Sequence, residues 1–155
     1  MGHSRGGTVS LLAGPENKAV THMVSVNSSP GGPTHVDRAE IGKVTVSFRD
    51  LPPGTSRTPE LEKKRFDLPY SYFEDGDNYN ALEGLSKSLK PKLFFYGTKD
   101  VLTTYIEVKD MYDASAEPKI IHELNTEHDY RLYSEIIEEV NQTLATFLDG
   151  STPPT

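Results

Sequence analysis

Apolar positions along the chain fall into short runs cut by glycine and proline, and their spacing changes from run to run. Ser4 to Ala13 places Val9, Leu12 and Ala13 on one side of a helix that Gly14-Pro15 stops. Ala19 to Val26 reads as a buried strand, followed by the loop Asn27-Ser28-Ser29-Pro30-Gly31-Gly32-Pro33. From Tyr79 to Leu89, Leu82, Leu85 and Leu89 recur at helical spacing. Lys92-Leu93-Phe94-Phe95-Tyr96-Gly97 is a continuous apolar run, the signature of a parallel strand covered on both faces. Thr104 and Glu107 form a capping-box pattern that opens a helix running to about Ala114. Lys119 to Leu124 is a further strand. A last helix from about Asp129 to Leu148 carries Leu132, Ile136, Val140, Leu144 and Phe147 at helical spacing. Helices alternating with strands in this order call for an α/β fold with a parallel sheet and helices on both faces.

The stretch from Thr34 to Asp77 does not fit that rhythm. Pro52-Pro53-Gly54 and Pro59 break it, with a short helix expected over Leu61 to Phe66. A segment of this length inside one domain reads as a cap-like insertion at about 34–77 or as an excursion from the domain. The expected organisation is one α/β domain over 1–148 holding that insertion, with a polar, proline-rich tail at 149–155.

Composition narrows the function. The 155 residues hold 16 Lys+Arg against 23 Asp+Glu, a net charge of −7, which argues against nucleic acid or an anionic membrane surface as partner. With no cysteine, disulfides, thiolate metal sites and a cysteine nucleophile are excluded. No apolar run approaches the roughly 18 residues of a membrane span, and Met1-Gly2-His3-Ser4-Arg5 lacks the apolar region of a secretory signal, so the expected location is the cytoplasm. Only 35 % of residues are apolar, a lean core for a self-sufficient enzyme.

The candidate chemistry begins at Gly2-His3-Ser4-Arg5-Gly6, which matches Gly-x-Ser-x-Gly. That motif makes a sharp strand-to-helix turn which lifts the serine into the open, and small residues two before and two after it keep the turn free of collision. Gly7 adds a further small residue through which helix and sheet approach closely. Backbone N–H groups at the start of the following helix stabilise an oxyanion. Downstream, the strand over 93–96 ends in Gly97-Thr98-Lys99-Asp100, and the next ends in Asn125-Thr126-Glu127-His128.

Serine, acid, then histidine, each just past a strand's carboxyl end, is the α/β-hydrolase order, and the chain from Met1 to Leu148 resembles the C-terminal half of an α/β-hydrolase. The resemblance implies a serine hydrolase, serine-aminopeptidase-like in outline, that cleaves carboxylic esters, thioesters or small amides. Ser4 is then the nucleophile, His128 the general base and acid, and Asp100 the group that orients the imidazole. The backbone N–H of Arg5 supplies one oxyanion donor. No metal or organic cofactor is implied, because histidine activates the nucleophile. The segments Arg49-Asp50-Leu51-Pro52-Pro53-Gly54 and Leu68-Pro69-Tyr70 are similar to a small cap over such a site. The partner is a small-molecule acyl substrate.

Each assignment has a plainer rival. Ser4 is also a reasonable helix N-cap, and Asp100 a charge placed at a helix N-terminus. Asp110 and Asp113 compete with Asp100 but fall inside a helix. Of the other histidines, His3 is expected to point away from the active face, His22 and His122 to lie within strands, and His35 in a loop. Asp129 reads as a helix cap. Glu135, Glu138 and Glu139 read as a solvated helix face. Tyr70, Tyr72 and Phe73 are candidates to line an acyl pocket or simply to pack. No histidine pair has the spacing of a zinc-binding helix, so no metal site is expected.

The family places its elbow after five strands, whereas here it stands at the start of the sequence. A truncated gene model, a fragment made for study and a natural half-protein all fit. Any of them leaves the strand over 20–26 as an exposed sheet edge, prone to self-association or to pairing with a missing N-terminal half. The alternative function is accordingly a non-catalytic hydrolase fragment that associates with a partner through that edge.

Overall fold

The computed structural model describes residues 1–32 and 70–150. Chain contacts divide it into two units, Met1–Pro30 with Asn80–Thr155, and Gly31–Tyr79. The first unit holds a four-stranded parallel sheet in the order β1 (Gly2–His3), β2 (Met23–Val26), β3 (Lys92–Gly97), β4 (Lys119–Leu124). Its helices are α1 (Arg5–Ala13), α3 (Leu82–Lys87), α4 (Tyr105–Ala114) and α5 (Ser134–Gly150). In the second unit the described helix is α2 (Tyr70–Gly76), where the rings of Tyr72 and Phe73 meet edge to face at 5.2 Å.

Alternation along the central strands separates two apolar layers, as the pleat requires. Val24, Val26, Leu93, Phe95 and Leu124 face Ile136, Val140 and Phe147 of α5. Met23 and Phe94 face Leu11 of α1, Leu85 of α3 and Val108 and Met111 of α4. All four residues of β2 and the run Leu93–Phe95 are buried, consistent with strands covered on both faces.

Several boundaries and faces differ from expectation. The strand expected from Ala19 begins at Met23. It is not an edge strand either, because β1 lies outside it, with Gly2 opposite Ser25 and His3 opposite Val26. The inner stripe of α1 is Gly7, Leu11 and Gly14, while Val9 is 58 % exposed and Ala13 is also exposed. Small residues took the packed face because a β-carbon at Gly7 would strike Ser28, and one at Gly14 would strike Met23. α3 is shorter than the expected 79–89 and leaves Leu89 exposed, since Ser88 turns to extended backbone with ψ 125°. The last helix starts at Ser134, after a 3₁₀ turn over Tyr130–Leu132, and continues to Gly150, two residues into the expected tail. The expected helix over 61–66, the segments 49–54 and 68–69, and His35 lie outside the described residues, as does the rest of the tail. Among the described residues no helix is long and apolar enough to cross a membrane.

Candidate active site

Parallel strands deliver their carboxyl ends to one side of a sheet, so the loops leaving β1, β3 and β4 converge there. Ser4 connects β1 to α1 with φ 53° and ψ −129°. A positive φ is costly for a residue with a side chain, and surrounding contacts must hold it. Here the Ser4 N–H donates to the Val26 carbonyl at 2.9 Å, and its own carbonyl receives the N–H groups of Gly7 and Thr8. Its side chain makes no N-cap hydrogen bond, so the capping role is not realised. The turn needs Gly2, where a β-carbon would overlap the Gly6 carbonyl, but not Gly6, where a β-carbon would meet nothing within 4 Å.

The hydroxyl of Ser4 instead donates to His128 Nε2 at 2.8 Å. Across the ring, His128 Nδ1–H donates to Asp100 Oδ2 at 2.7 Å. These partners set the tautomer, with the proton on Nδ1 and the lone pair on Nε2 facing the serine. The Asp100 side chain is wholly covered, and its other oxygen accepts the N–H groups of Leu102 at 2.8 Å and Thr103 at 2.9 Å. Burial pushes the Asp100 pKa up, but the bonds from His128, Thr103 and Leu102 outweigh it and hold the carboxyl below its ordinary range. The three expected residues, separated by up to 124 positions, therefore form one hydrogen-bonded chain. Arg5 is the first residue of α1, directly after the serine. Such an arrangement is chemically competent to remove the hydroxyl proton as the oxygen attacks an electrophilic carbon.

Two further side chains belong to this region that the motifs did not single out. Asn27, fully buried with φ 48°, donates through Nδ2 to the carbonyls of Glu127 at 3.1 Å and His128 at 2.8 Å. Its Oδ1 accepts the Gly97 N–H at 2.7 Å. His3 does not point away. Its Nε2–H donates to the same His128 carbonyl at 2.7 Å, and its ring packs on those of His128 and Tyr130. Burial depresses the His3 pKa and the neighbouring His128 and Arg131 act in the same direction, against the hydrogen bond to the carbonyl and the charge of Asp129. The only available signals were an asparagine, tolerant of positive φ, at a strand end and a histidine inside the elbow.

Other candidates settle elsewhere. Asp129 caps the 3₁₀ turn and receives Arg131 Nε at 2.7 Å and Nη2 at 2.9 Å. Burial raises its pKa, yet the Arg131 bonds overcome that and hold it low. Asp113 pairs with Lys109 on the surface of α4. Glu135 and Glu138 are exposed, and Glu139, its side chain still 41 % exposed, also meets His122 Nε2 at 2.8 Å. His22 precedes β2 and sets its ring edge-on to Phe147 at 5.6 Å. A cleft of about 800 Å³, lined by Leu93, Pro118, Ile120 and Phe147 among others, lies by the N-terminal ends of β3 and β4 and includes none of Ser4, Asp100 or His128. Among the described residues no group of three or more His, Asp or Glu could hold a metal ion.

Neither a family model nor a curated protein sequence matches the chain. Solved structures do. The esterase domain of a Rhodothermus marinus protein has a TM-score of 0.64 and 19 % identity over 94 % of this chain and 58 % of that one. A Paleococcus ferrophilus monoacylglycerol lipase gives 0.66 and 19 %, over 97 % of this chain and 67 % of its own. An alpha/beta hydrolase from a Penicillium species gives 0.68 and 15 %, over 94 % and 61 %. The chain has the α/β-hydrolase fold and spans about half to two thirds of the length of the structures it matches.

Proposed function

We propose that this α/β-hydrolase-fold chain carries the catalytic residues of a serine hydrolase, acting on carboxylic esters, thioesters or small amides. The observation that carries the reading is the hydrogen-bonded chain from Asp100 through His128 to Ser4, with the serine held at positive φ. Ser4 Oγ attacks the acyl carbonyl while His128 Nε2 takes the hydroxyl proton. His128 then returns that proton to the leaving alcohol, thiol or amine, and an acyl group remains on Ser4. Water, activated by the same nitrogen, releases the acid and restores the serine. Asp100 keeps the ring in its tautomer and stabilises the imidazolium. The Arg5 N–H, at the positive end of α1, is the oxyanion donor this reading assigns, a contribution worth about 10²–10³ in rate in enzymes of this chemistry.

Esters are the favoured substrates, because the matched structures include an esterase domain and a monoacylglycerol lipase. The test is labelling of the full chain with a fluorophosphonate, read by intact mass and peptide mapping. A single adduct on Ser4, absent in Ser4→Ala and strongly slowed in His128→Ala, is expected. A folded protein that takes no adduct at Ser4 would overturn the reading.

A further inference from the structure

The carbonyl of His128 accepts two side-chain hydrogen bonds from two different strand ends, one from His3 Nε2 on β1 and one from Asn27 Nδ2 just past β2. The base thus has its ring held by Asp100 and its backbone held by two further donors. Asn27 reaches the acid as well. Its side chain accepts the N–H of Gly97, the last residue of the strand leading to Asp100. Its own carbonyl accepts Thr103 Oγ1 at 3.2 Å, and the N–H of Thr103 in turn donates to Asp100 Oδ1. One buried amide therefore fixes the spacing of the loops that carry acid and base.

We infer that Asn27 and His3 are positioning residues for the proposed hydrolase, setting His128 Nε2 against Ser4 by clamping the His128 carbonyl from two sides. The inference rests on the serine-hydrolase reading for its kinetic consequence, although the clamp can be read without turnover. A loop held by one donor fewer lets the imidazole drift, and displacements of about 1 Å cost on the order of 10²-fold in rate. Substrate binding is untouched, because neither side chain is among the groups assigned to the acyl carbonyl.

Four variants of the full chain test this. His3→Phe keeps an aromatic ring but removes the donor, whereas His3→Gln keeps an N–H donor at about the same reach from the backbone. Asn27→Asp keeps the acceptor for Gly97 but removes both donations, and Asn27→Ala removes all three. With a p-nitrophenyl ester, and active enzyme counted by fluorophosphonate titration, kcat should fall on the order of 10- to 100-fold in His3→Phe and Asn27→Asp. KM should stay within about two-fold. His3→Gln should recover a large part of the loss. The second readout is the downfield proton resonance of His128 Nδ1 on Asp100, which should broaden or shift in His3→Phe and return in His3→Gln. Equal kcat per active molecule in wild type and His3→Phe overturns the inference. Should the asparagine variants not fold, the His3 pair decides alone. A wild type that neither labels nor turns over removes the hydrolase reading, and an unchanged Nδ1 resonance in His3→Phe would then overturn the clamp as well.

Discussion

A β-carbon at position 7 would overlap the hydroxyl of Ser28, so α1 rests on the end of β2 through a residue that has no side chain. Ser28 is itself buried and donates to the Val26 carbonyl at 3.0 Å, which leaves it little room to yield. Gly7→Ala should therefore destabilise by about 1–3 kcal/mol, the usual cost of overpacking. Gly2→Ala should cost more, since the atoms it meets are backbone of Gly6 and Gly7. Gly6→Ala should be neutral or slightly stabilising, because the site is open and alanine favours a helix by roughly 1 kcal/mol. Denaturant midpoints of the three variants check this ordering, and equal loss at positions 6 and 7 would contradict it.

Asp100 should limit stability on the acid side. Its folded pKa lies below the ordinary 3.8, so the folded state holds fewer protons than the unfolded state once the pH nears that value. By linkage its contribution is fully present above the unfolded pKa and is lost as the pH falls through the folded one. Thermal scans from pH 7 down to 2.5 should show wild type losing stability below about pH 4. In Asp100→Asn that limb should flatten. The same variant should lose about 10⁴ in esterase rate, the scale seen when such a histidine is left in the wrong tautomer. An acid limb identical in the two proteins would refute the stability argument.

Lys92 is fully buried at the start of β3, with Nζ donating to the carbonyls of Ser88 at 2.5 Å, Lys90 at 2.9 Å and Ala116 at 3.0 Å. Methionine at this position would relieve the burial of a charge but strand those acceptors, at about 1–3 kcal/mol for each one that water cannot reach. Lys92→Met should destabilise by at least about 2 kcal/mol on that scale. Lys90→Met should cost less, because its partners at the end of α1, the carbonyls of Gly14, Pro15 and Asn17, lie nearer solvent. Urea unfolding of the two variants decides the order.

Thr104 and Glu107 cap α4 reciprocally, the Glu107 carboxylate accepting the Thr104 N–H at 2.8 Å while Thr104 Oγ1 accepts the Glu107 N–H. Thr104→Ala should lower stability by about 1 kcal/mol. The cap lies just beyond the loop holding Asp100, so Thr104→Ala at a temperature well below its midpoint should leave fluorophosphonate labelling of Ser4 unchanged. A large loss of labelling would mean that the cap also sets the acid loop.

The difference between Thr104 and Lys92 marks how far the sequence could be read. A capping box joins residues three apart, and β3 announces itself by an uninterrupted apolar run over Leu93–Tyr96, so both elements follow from local pattern. Ser4 was found by the Gly-x-Ser-x-Gly motif, and Asp100 and His128 by their places at strand ends in the order that the α/β-hydrolase resemblance implies. The role of Lys92 was not legible, because its acceptors come from the turn at Ser88 and Lys90 and from Ala116, 24 residues away. The bond of Glu139 to His122 was not legible because His122 stands on another element, 17 residues away. Of the face expected on α1, Leu12 packs against the core but Val9 and Ala13 do not, for a related reason. Hydrophobic spacing marks the large residues, whereas close packing against Ser28 and Met23 selects the small ones.

By itself the sequence determined the alternation of helix and strand, the parallel sheet and the three residues that meet at its carboxyl edge. The elements rest on short-range periodicity and caps, whereas the three residues, up to 124 positions apart, rest on the elbow motif together with the α/β-hydrolase resemblance. Tertiary structure alone decided that β1 flanks β2, that His3 turns toward His128, and that Asn27 ties three loops together. Asn27 lies 70 residues from Gly97 and 101 from His128, and His3 lies 125 from His128. A hydrogen bond over such separations exists only after the sheet has brought the strand ends together, and no spacing along the chain encodes it.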